Sequence, residues 1–129
     1  MEYSIRQIFT DKELDGCFVV RNVVFVEEQN VPPWEELDHY DESAKHYGVF
    51  ADDEIVATAR LVILPNRIGK IGRVAVLVEH RRVGLASKML QLIIESNEDE
   101  CDSFVLDAQI SAQTLYEKLG FVAEGDEFL

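Results

Sequence analysis

Two adjacent arginines in a glycine-containing turn are the residues of this sequence best suited to binding an anion. The stretch RRVGLA, at positions 81–86, lies between an apolar run at 74–78 and an amphipathic helical pattern. The first turn of a helix has unpaired N–H groups and the positive end of the helix dipole, so it attracts phosphate. Gly84 would let a ligand approach the backbone closely. Cations are unfavourable at a helix N-terminus on the dipole argument alone, so Arg81 and Arg82 indicate a bound anion.

The charge distribution points the same way. The 129-residue chain has a formal net charge of −13, yet residues 60–88 contain seven of its twelve Lys and Arg and a single acid, Glu79. Overall acidity disfavours nucleic acid as a partner, because phosphate binding needs basic surface. It mildly favours cationic substrates through long-range attraction. The alternative interpretation is that the acidity only maintains solubility and that the cations are exposed strand ends.

Length and composition predict one globular domain, residues 1–129, with an ordinary balance of apolar and charged residues. The N-terminus has no apolar segment typical of a signal peptide, and no apolar run approaches the roughly 18 residues of a membrane span. Cys17 and Cys101 are expected to be reduced, with Cys17 on an apolar helix face and Cys101 in an acidic loop. No metal-ligand spacing is visible, so we expect a cytoplasmic protein without a metal.

Hydrophobic periodicity predicts an α/β or α+β domain with a mixed sheet. Short connections between three central strands favour an antiparallel meander, whereas the later strand–helix–strand order requires a parallel crossover. Thr10 with Glu13 forms a capping-box pattern. The predicted strands are 3–9, 46–51, 55–64, 68–78, 104–108 and one from 121. The predicted helices are 10–25, one from about 82 into the acidic run 95–100, and 112–119. Residues 27–44 are predicted to form a long loop.

Two motifs carry a family resemblance. The pattern Arg-x-x-Gly-x-Ala after a strand resembles the acyl-CoA pyrophosphate loop of the GNAT superfamily of N-acetyltransferases. The later stretch LDAQISAQTLYEKLGFVAEG resembles the GNAT ending, with Tyr116, Gly120 and Phe121 as its signature. The segments RNVVFVEEQNVP and ELDHYDESAKH are similar to the small single-domain bacterial branch called ElaA-like. The resemblance implies the GNAT fold, with an antiparallel N-terminal meander, a splayed parallel strand pair and flanking helices.

The resemblance also implies acetyl-CoA as co-substrate, bound between the splayed strands without a metal. Free backbone groups of Val74, Ala75 and Val76 would pair with the pantetheine arm and polarise the thioester carbonyl. Gln109 and Tyr116 would contact the cofactor as well. The backbone N–H groups expected to hold the pyrophosphate are those of Arg81, Arg82, Val83, Gly84, Leu85 and Ala86.

The reaction implied is direct attack of a primary amine on the thioester. Tyr116 matches the family tyrosine that often protonates the leaving thiolate, although it could instead only pack or hydrogen-bond the cofactor. The general base stays open, because Gly72 stands where many members of the family have an acid. Glu28 and Asp107 are the two carboxylate candidates; His46, a water relay or an amine that is already neutral are the alternatives.

The acceptor would be bound by the end of the first helix and the following loop. Acidic residues at 28, 35, 36, 38 and 41 suit a cationic amine such as a polyamine or a lysine side chain, unless they only form a solvated loop. The proposed acceptor residues are Phe25, Glu28, Gln29 and Trp34.

The end of the sequence departs from the family pattern. The ElaA-like branch is expected to have about ten residues beyond Leu129, so we expect the final strand of the fold to be missing from this sequence. The resulting sheet edge would be unpaired, unless the partner chain of a homodimer supplies a strand. Two other functions stay open: a non-catalytic acyl-CoA-binding module that acts through a protein partner, and a plain phosphate-binding or interaction domain.

Overall fold

The structure is a computed structural model and describes residues 2–32 and 39–106. Within these ranges, the chain forms five strands, two α-helices and a π-helical segment. A 3-10 turn, His39–Glu42, leads into the second strand. The elements are β1 Tyr3–Ile8, α1 Asp11–Arg21, the π-helical segment Asn22–Glu28, β2 Lys45–Ala51, β3 Glu54–Leu64, β4 Ile68–Val76, α2 Leu85–Ser96 and β5 Ser103–Leu106.

The described strands form one mixed sheet in the order β1-β2-β3-β4-β5. The first four strands are antiparallel neighbours, and β4 pairs with β5 in parallel. The parallel ladder runs from Ile68–Ser103 to Ile71–Leu106. The mixed sheet, its meander and the crossover through α2 confirm the predicted fold class, because a parallel pair cannot be joined by a tight turn.

The two helices cover opposite faces of the sheet. On β2, Val49 packs in the core beneath α2, where Met89 and Ile93 are fully buried. The adjacent Phe50 lies on the other face, in the cluster with Cys17 of α1. This alternation follows from the two-residue period of a strand, which sends successive side chains to opposite faces.

The first helix begins as predicted but continues further. Thr10 caps it by accepting a hydrogen bond from the Glu13 amide at 3.2 Å, while the Glu13 carboxylate pairs with Arg6 of β1. The helical path then widens into the π-helical segment and ends at Glu28, three residues later than expected. Hydrophobic spacing did not indicate the π-helical geometry, in which the Gln29 amide donates to the Val24 carbonyl at 3.1 Å.

Several other predicted boundaries differ from the observed ones. Strand β4 ends at Val76 rather than at residue 78, and α2 begins at Leu85 rather than near residue 82. Cys101 lies in the loop before β5, as predicted, but its side chain is buried, at 4% exposure. The predicted helix 112–119 and the strand from 121 lie outside the described residues. No helix within the described ranges is long and apolar enough to cross a membrane.

A buried ionic cluster fixes the turn that leads into β2. Asp41 accepts hydrogen bonds from Arg21 of α1 at 2.7 Å and from Arg60 of β3 at 2.9 Å, and its side chain is only 10% exposed. Burial by itself would raise the pKa of Asp41, but the hydrogen bonds and charges of the two arginines outweigh burial and lower that pKa to about 2. The carboxylate therefore ties the turn to a helix and to a central strand.

We expect Asp41→Asn to lower the free energy of unfolding by about 2 kcal/mol or more at neutral pH, because two buried guanidinium groups lose their carboxylate. The folded-state pKa lies below the ordinary value of 3.8, so this stabilisation is present above pH 4 and is lost as the pH falls towards 2. Urea unfolding of both proteins at pH 6 and pH 3 measures it. The difference between them should shrink by about 1 kcal/mol at pH 3; a constant difference would contradict the assignment.

Candidate active site

Strand β4 carries a bulge beside the residues that were predicted to bind the cofactor. Thr58 of β3 pairs with Ala75 and Arg60 pairs with Gly72, so two residues of β4 lie opposite one residue of β3. Arg73, within the bulge, has a φ of 52°. A bulge bends its strand and increases the local twist. The apolar pattern of β4 did not indicate the bulge, although a glycine within a strand pattern is a known signal of one.

Beyond the bulge, the end of β4 is paired on its β3 side. Val76 lies opposite Ala57, and Ala75 is buried against the first helix and the π-helical segment. The ladder with β5 stops in the described residues at Ile71, five positions before the end of β4. Val74 and Val76 pack towards the α2 face. The predicted cofactor-binding residues Val74, Ala75 and Val76 therefore lie beyond the last described pair of the parallel strands.

After β4 the chain crosses the end of the sheet in a short turn. The Leu77 amide donates to the Val56 carbonyl at 2.9 Å, and a 3-10 turn, Val78–His80, follows. The His80 ring lies edge-on to Tyr3 of β1, with 3.0 Å between Nδ1 and the Tyr3 hydroxyl oxygen. These contacts attach the turn to β3 and to β1, so the position from which residues 81–84 continue is fixed.

The junction between this turn and α2 has the backbone geometry expected of an anion site. Gly84 has a φ of 80° and no side chain caps the helix. The first helical bond is donated by the Lys88 amide to the Gly84 carbonyl, at 3.1 Å. Among the described residues, a Cβ atom added at Gly84 would have no neighbour within 4 Å. The first turn of α2 thus has no side-chain cap and has open space beside Gly84, two features that suit the binding of a phosphate.

The remaining turn residues divide between surface and core. Arg82 and Val83 are exposed, whereas Leu85 is buried and Ala86 is partly buried. Arg82 has a φ of 67°, a left-handed conformation that is uncommon outside glycine, asparagine and aspartate. Such strained backbone is concentrated at functional sites. Arg82 thus presents its charge to solvent beside the open N-terminus of α2.

Arg81 has a different environment from Arg82. Its Nη1 and Nη2 atoms donate to the two carboxylate oxygens of Glu28, at 2.8 and 2.7 Å, and its Nε atom donates to the Val76 carbonyl at 2.8 Å. The hydrogen bonds and charge of Arg81 lower the pKa of Glu28. The structure therefore brings together Glu28, predicted as an acceptor residue and base, and Arg81, predicted for the cofactor. With 53 positions between them, no sequence signal indicated the pair.

The other predicted acceptor residues are close to Glu28 in sequence and structure. Phe25 packs with Val20, Val24 and Ala75 beside the end of β4. Gln29 is exposed and directly follows the π-helical segment as its C-cap residue. Trp34 lies outside the described residues.

Two residues considered for this region face the core instead. Asp41 is held between Arg21 and Arg60, so it does not add to an acidic surface for the acceptor. His46, an alternative base, is 6% exposed, and its Nε2 atom lies 3.0 Å from the Asp41 carbonyl oxygen. Burial lowers the pKa of His46. An amine in solvent cannot reach it in this arrangement.

Gln109, Tyr116 and Asp107 lie outside the described residues, so their roles stay predictions. The described ranges contain no group of three or more His, Cys, Asp or Glu side chains placed to hold a metal ion.

Comparison with known proteins gives the family. Residues 5–121 match the model of the acetyltransferase (GNAT) family. An uncharacterised N-acetyltransferase of Bacillus subtilis, YjcF, is 33% identical over 121 residues, which cover 92% of this chain and 86% of the relative. The chain belongs to the GNAT acetyltransferase family, as its two motifs predicted.

Solved structures show the same fold. An acyl-CoA N-acyltransferase of Pseudomonas aeruginosa superposes with a TM-score of 0.79 at 28% identity, covering 96% of this chain and 88% of that one. Escherichia coli ElaA superposes with a TM-score of 0.78 at 24% identity, covering 96% and 93% of the two chains. The neighbours include the protein after which the predicted branch was named.

Replacing Gly84 tests the turn directly. We expect Gly84→Leu to weaken acetyl-CoA binding by about 2 kcal/mol or more, because a side chain would occupy the open space over the helix N-terminus and remove charged hydrogen bonds. Calorimetric titration with acetyl-CoA measures the effect.

Gly84→Asn is the matched control for backbone strain, because asparagine tolerates the left-handed conformation better than leucine does. Weakened binding in both variants, with the melting temperature of Gly84→Asn close to that of the wild type, identifies obstruction of the site. Unchanged affinity in both would show that the pyrophosphate is bound elsewhere.

Proposed function

We propose that this protein transfers the acetyl group of acetyl-CoA to a primary amine by direct attack within a ternary complex. The observation that carries the proposal is the junction at Gly84, where the N-terminus of α2 has no side-chain cap, the space beside Gly84 is open among the described residues, and Arg82 is exposed. Membership of the GNAT family, with residues 5–121 matched, supports the same reaction. The backbone N–H groups of residues 82–86 would bind the pyrophosphate of the cofactor, whereas the Arg81 amide, also predicted for this role, donates to the Val78 carbonyl at 3.4 Å.

The chain would contribute three groups to the chemistry. Acetyl-CoA supplies an activated thioester. A backbone N–H near Val74 to Val76 would polarise the thioester carbonyl, as membership of the GNAT family suggests. Tyr116 would donate the proton that the departing thiolate needs, since a phenol has an ordinary pKa of about 10. Gln109 would hydrogen-bond the cofactor or the acceptor.

We propose that the acceptor is a cationic amine bound beside Glu28, with Phe25, Gln29 and Trp34 as further contacts. Glu28 is exposed and its pKa is lowered by the hydrogen bonds and charge of Arg81, so it stays ionised at neutral pH. An ionised carboxylate attracts an ammonium group, but the lowered pKa makes Glu28 a weaker proton acceptor. Attraction of the substrate is therefore better supported than general base catalysis, and the base itself stays a prediction.

An assay with acetyl-CoA, a panel of amines and a thiol reagent tests the proposal. The panel contains spermidine, a lysine-containing peptide and, as a control without an amine, the neutral amide acetamide. We expect CoA release only with an amine present, and faster release with the cationic members. Cys17 and Cys101 are both buried, which limits their reaction with the reagent. Binding of acetyl-CoA without turnover across the panel would favour a non-catalytic module, and absence of binding would exclude both functions.

The role of Tyr116 is tested by Tyr116→Phe, which removes the hydroxyl group and retains the ring. We expect kcat to fall by about 10²-fold or more, as the loss of a general acid typically does. The dissociation constant of acetyl-CoA should change by less than about threefold, because one neutral hydrogen bond at most is lost. Stopped-flow turnover and calorimetry separate the two effects. An equal loss of turnover and affinity would indicate a packing role.

A further inference from the structure

We propose that Arg81 is a positioning residue, which holds the Glu28 carboxylate beside the end of β4 and adds no net charge to the cofactor site. This inference rests on the proposed function, because Glu28 has a role towards the acceptor only there. It also divides the two arginines of the turn: Arg82 is the cation available to the cofactor, and Arg81 belongs to the acceptor side.

The contacts of the guanidinium group carry this assignment. Three N–H groups of Arg81 are used in three bonds, one to the Val76 carbonyl and two to the carboxylate of Glu28, all between 2.7 and 2.8 Å. A paired contact of this type fixes the orientation of a carboxylate as well as its distance. A lysine at this position would supply a point charge without that geometry.

Both ends of this bridge are attached to well-packed elements. Val76 is paired with Ala57 in the β3–β4 ladder. Glu28 is the last residue of the π-helical segment, whose Val24 is buried against Ala75 of β4. Arg81 therefore connects the strand that would hold the pantetheine arm with the segment that would hold the acceptor.

The charges explain why the pair matters for the cofactor. Arg81 and Glu28 together are neutral, so phosphate groups near the turn experience Arg82 but little net charge from the pair. If Arg81 is removed alone, Glu28 becomes an uncompensated anion close to the phosphate site and should repel it. If both members are neutralised, the net charge at the site returns to that of the wild type.

A double-mutant cycle with acetyl-CoA as the probe tests whether Arg81 acts through Glu28. Calorimetry is done on the wild type, Arg81→Gln, Glu28→Gln and the double variant, with circular dichroism to verify folding. We expect Arg81→Gln to weaken binding about fivefold, Glu28→Gln to strengthen it about threefold, and the double variant to bind within threefold of the wild type. A double variant as weak as Arg81→Gln would overturn the inference, because Arg81 would then contact the cofactor directly.

Arg82→Gln is the matched control, because it removes the same charge one position later. We expect it to weaken acetyl-CoA binding and to reduce the dependence of affinity on salt, in the single variant and in the Arg81→Gln/Glu28→Gln background alike. Wild-type protein that binds no acetyl-CoA would overturn the proposed function itself. Wild-type binding without restoration in the double variant overturns only the role of Arg81.

The KM for the amine acceptor supplies a second readout, which would not change if Arg81 had only a structural role. With the most active cationic amine of the panel, Arg81→Gln should raise KM about tenfold, with a smaller change in kcat. The same substitution in the Glu28→Gln background should cause no further rise. Glu27→Gln, which removes a neighbouring carboxylate not bonded to Arg81, should change KM by less than twofold. A KM for Arg81→Gln within threefold of the wild type would contradict the positioning role.

Discussion

The left-handed backbone at Gly84 is the constraint on which the candidate site depends. It lets the chain turn from the end of the sheet into α2 without a side-chain cap, so the N–H groups of the first helical turn stay available. A residue with a Cβ atom is strained at this φ, and its side chain would enter the space above the turn. The same residue therefore determines both the direction of the helix and its accessibility to a phosphate.

The sheet places the other parts of the site around this junction. The segment from Val74 to Val76 ends β4 directly before the turn, where Ala75 and Val76 pair with β3 on one side. The bulge at Arg73 changes the twist of β4 just before that segment. On the opposite face from α2, the π-helical segment packs against Ala75. Cofactor turn, strand end and acceptor segment thus meet at one end of the sheet.

A buried ionic cluster and an exposed ion pair illustrate how burial decides what a charge does. Asp41 is almost inaccessible between Arg21 and Arg60, where losing one partner leaves an uncompensated buried charge. The pair of Glu28 and Arg81 is far more exposed, at 41% and 35%, and exposed pairs are worth about 0–1 kcal/mol. The Asp41 cluster therefore maintains the fold, whereas the pair of Glu28 and Arg81 contributes mainly orientation and local charge.

The sequence by itself determined the elements and the family. Apolar periodicity predicted all five described strands and both α-helices, since the apolar pattern of a strand or a helix repeats within a few residues. The Arg-x-x-Gly-x-Ala turn and the Tyr116 segment indicated a GNAT acetyltransferase. Boundaries at residues 76, 85 and 28 shifted because capping and packing, rather than hydrophobicity, end an element. Only the tertiary structure decided that Arg81 binds Glu28, that Asp41 and His46 face inward, and that Cys101 is buried. Those facts depend on contacts between residues distant in sequence, and spacing along the chain carries no information about such contacts.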